Sequence, residues 1–204
     1  MEIEIKIRLF TEEDTARLEQ VLGGEPFASE DQDNVFFEGF YNELIANQLV
    51  FRIRLIEKLG KDPIAVVALK GNAVLIDGIA RVEEEEEVID VNTAKAIIEN
   101  PKLIPEAATS HRLLNTIVER VRCNFGYKHL GRFKNVRHKY HWQGYVVEID
   151  RTTYLHGTAY EVEIESLDPE KAKEQLTTLL QEHHIAYGNS KYNKYENMIN
   201  GTLL

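Results

Sequence analysis

The chain has 204 residues, 43% of them hydrophobic and 28% charged, which is the composition of a folded globular protein of one or two domains. Acidic residues outnumber basic ones by 34 to 24, and the net charge of −10 disfavours a general nucleic-acid binder, which needs a basic surface. The single cysteine, Cys123, excludes an intrachain disulfide and a cysteine-based zinc site. The longest apolar run, Ile64 to Leu69, is too short to span a membrane, and no signal region is seen, so a cytoplasmic location is expected.

The predicted elements alternate between strands with a charged face and short amphipathic helices. Residues 2–9 alternate polar and apolar side chains strictly, which predicts a half-buried strand. A helix is expected over 12–22, with Thr11 as its cap. Further strands are expected at 35–37, 50–56, 64–70, 79–89, 132–142, 145–151 and 159–165, and further helices from Asn92 or Thr93 to about 100, at 110–125 and at 169–183. Neighbouring strands dominate this order, which favours an antiparallel sheet in a single α+β domain over 1–204.

Charged side chains occupy one face of at least six predicted strands. Arg52, Arg54 and Lys70 make two of these faces basic. The acidic faces carry Glu148, Asp150, Glu161, Glu163 and Glu165. Carboxylates that share one face of a strand repel each other unless cations lie opposite them. Closure of the sheet into a barrel with its charged faces inward would supply those cations, so a charged lumen is expected.

These residue types predict a particular chemistry. Carboxylates two residues apart on a strand converge on a hard divalent cation such as Mg²⁺ or Mn²⁺. Clustered arginines and lysines bind phosphate oxygens, so both groups in one cavity imply a metal-bound polyphosphate and phosphoryl transfer. The register of the run 83–87 stays open: strict alternation turns Glu83 and Glu85 inward, whereas a one-residue bulge turns Glu84 inward instead.

Several motifs follow one another in a recognisable order. Glu2-Ile3-Glu4-Ile5-Lys6 has a Glu-x-Glu-x-Lys pattern, and Phe51-Arg52-Ile53-Arg54 is a paired-arginine strand. With Lys70, Arg81, Arg137, Glu148/Asp150, Glu161/Glu163 and Lys194 in the same order, the chain resembles the CYTH superfamily of triphosphate tunnel metalloenzymes over essentially its whole length. Residues 34–37, 157–165 and 189–194 look most like the plant members, which are similar to inorganic tripolyphosphatases.

The resemblance implies a closed eight-stranded antiparallel β-barrel with helices packed outside. Tripolyphosphate would lie in this tunnel with one or two Mg²⁺ or Mn²⁺ ions and be hydrolysed to pyrophosphate and phosphate. The implied metal ligands are Glu2, Glu4, Glu161, Glu163 and Glu165, with Glu83, Glu84, Glu85, Glu148 and Asp150 as further lumen residues. The implied phosphate contacts are Lys6, Arg8, Arg52, Arg54, Lys70, Arg81, Arg137 and Lys194. The implied catalytic residues are Glu4, Lys6, Arg52, Arg54 and Lys194.

Other functions stay open on the same fold. The superfamily also includes adenylate cyclases, thiamine triphosphatases and RNA triphosphatases, and ATP is an alternative substrate. A non-enzymatic sensor that binds polyphosphate or a nucleotide is the remaining alternative. Neither a Gly-x-x-x-x-Gly-Lys loop nor a Gly-x-Gly-x-x-Gly turn is present to support base recognition, so a specific nucleic-acid partner is not expected, nor is a membrane partner.

Overall fold

The computed structural model describes residues 2–71 and 73–204, apart from the side chain of Glu2. The strands are β1 (Glu2–Leu9), β2 (Ala28–Gly39), β3 (Val50–Glu57), β4 (Ile64–Lys70), β5 (Val74–Ile76), β6 (Ile79–Val82), β7 (Glu84–Ile89), β8 (Tyr127–Trp142), β9 (Tyr145–Tyr154), β10 (Gly157–Glu165) and β11 (Tyr187–Asn189). The helices are α1 (Glu12–Val21), α2 (Glu43–Ala46), α3 (Val91–Glu99), α4 (Ile104–Ala107), α5 (Arg112–Arg120), α6 (Pro169–Glu182) and α7 (Lys194–Asn200), with a 3-10 turn at Pro101–Leu103. The predicted α+β class with antiparallel strand pairing is confirmed.

The chain divides into two compact units. Unit one comprises Met1–Asp31, Val74–Arg81 and Lys134–Leu204, and unit two comprises Gln32–Ala73 and Val82–Phe133. In the described part of the chain, no helix combines the length and the apolar composition needed to cross a membrane.

Unit one is an antiparallel sheet whose apolar face is covered by helices. Its strand order is β5-β6-β1-β10-β9-β8, and β11 also pairs with β1. Ile5 and Ile7 of β1 are fully buried in a cluster that includes Leu176 and Leu180 of α6. Each such side chain contributes roughly 1.5–3 kcal/mol when it leaves water. Because side chains alternate along a strand, this packing turns the charged residues of β1 to the opposite face.

Unit two uses the same alternation on the strand order β2-β3-β4-β7. Phe51 and Ile53 of β3 are fully buried in a cluster that includes Ile97 of α3. Arg52 and Arg54 therefore lie on the other face of β3. Among the described residues, neither strand path returns to its first strand, so the closed eight-stranded ring expected from the sequence is not seen within either unit.

The glutamate run contains a break that sets its register. Glu83 lies between β6 and β7 in neither strand, and its backbone carbonyl accepts the N–H of Gly71 at 2.7 Å. This break shifts the alternation by one residue, so Glu84 lies on the inner face with its side chain 9% exposed. Glu85 is 52% exposed and contacts Arg112 of α5 at 3.2 Å. The strict alternation that places Glu83 and Glu85 inward is therefore wrong, and the bulged register is the observed one.

Other differences from the sequence prediction are local. Asp90 caps α3, because its carboxylate accepts the N–H of Thr93 at 2.8 Å, so Asn92 and Thr93 are not the cap. Strands β5 and β11 have three residues each, too few to show a periodicity. Helix α7 ends the described fold with a capping box at Asn193.

A buried carboxylate anchors the end of β2. Glu38 is 0% exposed, and its side chain accepts the backbone N–H groups of Gly39, Leu44 and Ile45 at 2.8, 2.7 and 3.0 Å. Two of these groups belong to α2, whose first N–H groups have no partner inside the helix. Glu38 therefore joins β2 to α2 within unit two.

We expect Glu38→Gln to lower the free energy of unfolding by about 3 kcal/mol, because bonds to a charged acceptor contribute roughly 1.5–3 kcal/mol each and do not add fully. Glu43→Gln is the matched control, since the half-buried Glu43 accepts one backbone N–H, from Tyr41. Urea unfolding of both variants measures the difference. Equal shifts would contradict the anchoring role of Glu38.

Candidate functional site

Two rows of charged side chains cross four neighbouring strands of unit one. In the order β1, β10, β9, β8 the strand register aligns Lys6, Glu163, Glu148 and Lys139 in row one, and Arg8, Glu161, Asp150 and Arg137 in row two. Each row places two carboxylates on the central strands and one cation on each outer strand. The cations that the acidic strands require are thus supplied by the same sheet, without closure of a barrel.

Glu163 is the most heavily bonded carboxylate of these rows. Lys6 Nζ and Lys194 Nζ contact its Oε1 at 2.5 and 2.6 Å, and Arg137 Nη2 donates to its Oε2 at 2.6 Å. Burial alone would raise the pKa of Glu163, but these three cations hold the pKa well below its usual range. Glu163 is therefore an ionised hydrogen-bond acceptor at neutral pH.

Asp150 is the fully buried carboxylate of row two. Arg137 donates to it through Nε at 2.8 Å and Nη2 at 2.6 Å, and Asn135 Nδ2 donates at 2.8 Å. Burial would raise the pKa of Asp150, but Arg137 and Lys194 together lower it below its usual range. The guanidinium fork of Arg137 matches the two carboxylate oxygens, which fixes both side chains.

Lys194 joins both rows from the first residue of α7. Its Nζ lies 2.8 Å from Asp150, 3.0 Å from Glu161 and 2.6 Å from Glu163. Burial would lower its pKa, but Asp150, Glu161 and Glu163 raise it well above the usual range. The side chain is held protonated and supplies positive charge and donors, and it is not a general base.

Lys6 is protonated for the same reason. Its Nζ lies 2.7 Å from Glu4 in addition to the contact with Glu163. Burial would lower the pKa of Lys6, but the carboxylates of Glu163 and Glu4 outweigh burial and raise it.

The donor set of the rows fits the chemistry of a divalent cation. Asp150, Glu161 and Glu163, from two adjacent strands, converge within 3.0 Å of one point of positive charge, which is Lys194 Nζ. Mg²⁺ and Mn²⁺ prefer such carboxylate oxygens. In this arrangement, however, no group of three or more acidic, histidine or cysteine side chains among the described residues is spaced to hold a metal ion. The residues therefore fit the ion in kind, and Lys194 occupies the point on which they converge.

Arg8 makes a different contact from the other cations. Its Nη2 donates to the backbone carbonyl of Leu203 at 2.5 Å, while its buried Nη1 has no hydrogen-bond acceptor within the described chain. Its place in row two, opposite Glu161, keeps it among the predicted phosphate contacts.

A second group of predicted residues lies in unit two. Arg52 Nη2 contacts Glu84 and Glu86 at 3.1 Å each, and Lys70 Nζ contacts Glu84 at 2.6 Å. The exposed fraction of the Arg52 side chain is 8%. Glu86, which sequence reasoning did not single out, shares the face of Glu84 once the break at Glu83 is known.

Other predicted residues have different surroundings. Arg81 is 41% exposed and contacts Glu170 of α6 at 3.5 Å. Glu165 is exposed at the end of β10, opposite Glu4 in the register. The side chain of Glu2 lies outside the described part of the structure, so its predicted metal role stays a prediction.

Three further polar residues support the rows. Asn135 bridges Asp150 and Thr152, with 2.8 Å to each, and Ser190 Oγ donates to Glu161 at 2.7 Å. Lys139 contacts Glu148 at 2.8 Å. Asn135 and Lys139 share the alternation of Arg137 on β8, which is the sequence signal for both, whereas nothing local marks Ser190.

The fold and the two rows define an α+β protein with an antiparallel sheet that has one apolar face and one buried, charge-compensated face. The chain belongs to the CYTH family, because the model of the CYTH domain matches residues 1–194. No curated protein matches the chain.

Solved structures agree with this assignment. A Hippeastrum protein, HpAC1, is 32% identical over 100% of this chain and 98% of its own, with a TM-score of 0.93. It carries the name of an adenylyl cyclase and is described as having a dominant triphosphatase activity. A Bacillus halodurans protein assigned as an adenylate cyclase is 22% identical over 96% of this chain and 97% of its own, with a TM-score of 0.67. The PH1819 protein of Pyrococcus horikoshii is 18% identical over 98% of this chain and 99% of its own, with a TM-score of 0.65. The last two show the shared fold.

We expect Glu163→Gln to lower the free energy of unfolding in EDTA by about 3 kcal/mol, because three buried cations lose their shared anion. The repulsion between carboxylates that the sequence suggests would give the opposite sign. Since the pKa of Glu163 in the folded state lies well below that of a free glutamate, its contribution is present above the pKa of the free side chain and is lost as the pH falls.

Denaturation of the wild type and Glu163→Gln from pH 7 to pH 3 measures this contribution. The difference in the free energy of unfolding between the two proteins should become smaller below about pH 4.5. Glu165→Gln makes the same change two residues along β10 at an exposed position, where less than about 1 kcal/mol is expected. If the difference in the free energy of unfolding stays constant with pH, the ion pairs of Glu163 are not its cause.

Proposed function

We propose that this protein hydrolyses inorganic tripolyphosphate to pyrophosphate and phosphate with the help of Mg²⁺ or Mn²⁺. The observation that carries the proposal is the double row of compensated charges, in which ionised carboxylates lie within hydrogen-bonding distance of protonated lysines. The triphosphatase activity described for the similar Hippeastrum protein supports it.

Charge balance is the argument for a metal. Each row contains two cations and two carboxylates, so neither row has a net positive charge to offer a polyanion. A triphosphate that enters alone would meet carboxylates without compensation, whereas one that arrives with divalent cations brings its own counter-charge. Asp150, Glu161 and Glu163 would hold such an ion, with Glu4 beside Lys6 as a further ligand. The ion would polarise phosphoryl oxygens.

The protonation states of the chain's own residues determine what each of them can do in the reaction. Lys6 and Lys194 stay protonated, so they stabilise negative charge that develops on phosphate oxygens. Glu163 and Asp150 stay ionised, so they can accept a hydrogen bond from an attacking water and orient it, but they have no proton to give to the leaving phosphate. Among these four groups, the two lysine ammonium groups are therefore the hydrogen-bond donors to the leaving group, and they keep their protons.

Arg52, Arg54 and Lys70 of unit two are proposed as further phosphate contacts, with Arg8 and Arg137 of unit one. Guanidinium groups present paired donors to phosphate oxygens. Arg81 contacts Glu170, so its proposed role as a phosphate contact rests on the resemblance alone.

Adenylate cyclase is the second candidate function, because two of the similar structures carry the name of an adenylate cyclase. A cyclase releases pyrophosphate from ATP and forms a cyclic nucleotide, whereas a triphosphatase releases phosphate. A sensor would bind either compound without turnover.

We expect purified protein to release phosphate from tripolyphosphate faster than from ATP or thiamine triphosphate, in Mg²⁺ or Mn²⁺, and to lose this activity in excess EDTA. Phosphate release is followed colorimetrically, and the ATP reaction is also analysed for cyclic AMP. Full activity in EDTA would remove the metal from the proposal, a cyclic product would favour the cyclase, and binding without turnover would favour the sensor.

We expect Arg54→Ala to lower kcat/KM for tripolyphosphate at least tenfold with little change in melting temperature, since a charge-assisted hydrogen bond contributes roughly 1.5–3 kcal/mol and Arg54 has no ion pair among the described residues. Arg112→Ala, which removes a 63% exposed arginine of the same unit, is the control and should leave kcat/KM near the wild-type value. Similar values for both variants would show that Arg54 does not contact substrate.

A further inference from the structure

Asn34 of β2 is a buried side chain with an unmet hydrogen-bond donor. It is 2% exposed, and its Oδ1 accepts the Nε–H of Arg54 at 3.1 Å. Its Nδ2 is buried and meets no acceptor in the part of the chain that the structure describes. A buried amide donor without an acceptor destabilises the fold, so its retention calls for a reason outside the fold.

The contact with Arg54 fixes which way this amide is turned. A guanidinium can only donate, so the oxygen of Asn34 must be the atom that faces Arg54 Nε. The amide nitrogen is therefore the donor that the contact with Arg54 leaves unused.

Arg54 itself lacks a counter-anion. Within the described residues it contacts no carboxylate, whereas Arg52, two residues away on the same face of β3, contacts both Glu84 and Glu86. Arg54 and Asn34 together thus offer unmatched donors and positive charge. This is the complement of an oxyanion.

We propose that Asn34 contacts the substrate, with its Nδ2 donating to an oxygen of the phosphate group that Arg54 binds, while its Oδ1 holds Arg54 in position. The inference rests on the proposed phosphate-binding role of Arg54 and adds Asn34 as a second residue of that subsite. An amide suits both tasks: a carboxylate at this position would hold Arg54 more strongly but would neutralise its charge and repel phosphate.

The test separates the substrate contact from the support of Arg54. Asn34→Asp keeps the size and the acceptor for Arg54 but replaces the Nδ2 donor with an anionic oxygen. Gln32→Glu is the matched control, because Gln32 is also a buried amide, lies two residues away on the same face of β2, and acquires the same charge. Asn34→Ala removes the donor without adding charge. Melting temperatures show which variants are folded.

Two readouts are taken, kcat/KM for tripolyphosphate and calorimetric binding of pyrophosphate with Mg²⁺. We expect Asn34→Asp to lower kcat/KM and to weaken pyrophosphate binding at least tenfold more than Gln32→Glu does, and Asn34→Ala to lower both about tenfold. If Asn34→Asp retains wild-type kcat/KM and binding, or if its losses only equal those of Gln32→Glu, Asn34 does not contact substrate and the inference is overturned.

The outcome for the proposed hydrolysis is separate. Wild-type protein that releases no phosphate but binds pyrophosphate, with binding weakened by Asn34→Asp, would refute tripolyphosphate hydrolysis and retain the contact. If the wild-type protein hydrolyses tripolyphosphate and Asn34→Asp is unaffected, tripolyphosphate hydrolysis is retained and the contact of Asn34 with substrate is refuted.

Discussion

Compensation of buried charge is the constraint on which the rest of this structure depends. An ionised carboxylate removed from water costs several kcal/mol unless cations and donors surround it. Glu163 meets that requirement with Lys6, Lys194 and Arg137, and Asp150 meets it with Arg137, Lys194 and Asn135. Strand register delivers most of these partners, and Lys194 arrives from a helix near the other end of the sequence.

The same constraint links the fold to the proposed chemistry. Alternation along β1 places Ile5 and Ile7 in a core with α6 and leaves Lys6 on the other face, so one strand serves stability and charge together. Because the pKa values of the buried lysines are raised and those of Glu163 and Asp150 are lowered, the groups keep fixed charges over the physiological range. Such preorganised charges need no rearrangement when negative charge develops on a phosphate, which is the condition for effective electrostatic catalysis.

Local pattern predicted the strands and their charged faces, and it failed where partners lie far apart in the chain. The alternation at residues 2–9 gave β1 at its observed bounds, and 64–70 gave β4. Pairing of Glu163 with Glu148, or of Asp150 with Arg137, depends on register between strands, which no single segment encodes. The break at Glu83 shifts the alternation by one residue, so the glutamates that follow it lie on the faces opposite to those that strict alternation predicts. The approach of α7 to the sheet has no local signal at all, and Lys194 entered through the resemblance alone.

Protonation of the buried lysines also governs how they react with chemical reagents. Acylating reagents attack a neutral amine, and an ammonium surrounded by carboxylates presents neither the free electron pair nor an open approach. Lys6 is 7% exposed and Lys194 lies against three carboxylates, so both should be acylated far more slowly than lysines on the protein surface. Whatever loosens the carboxylates around Lys194 would open it to attack. Mass-spectrometric labelling of this one amine would then report the state of the ion-pair network in the intact protein.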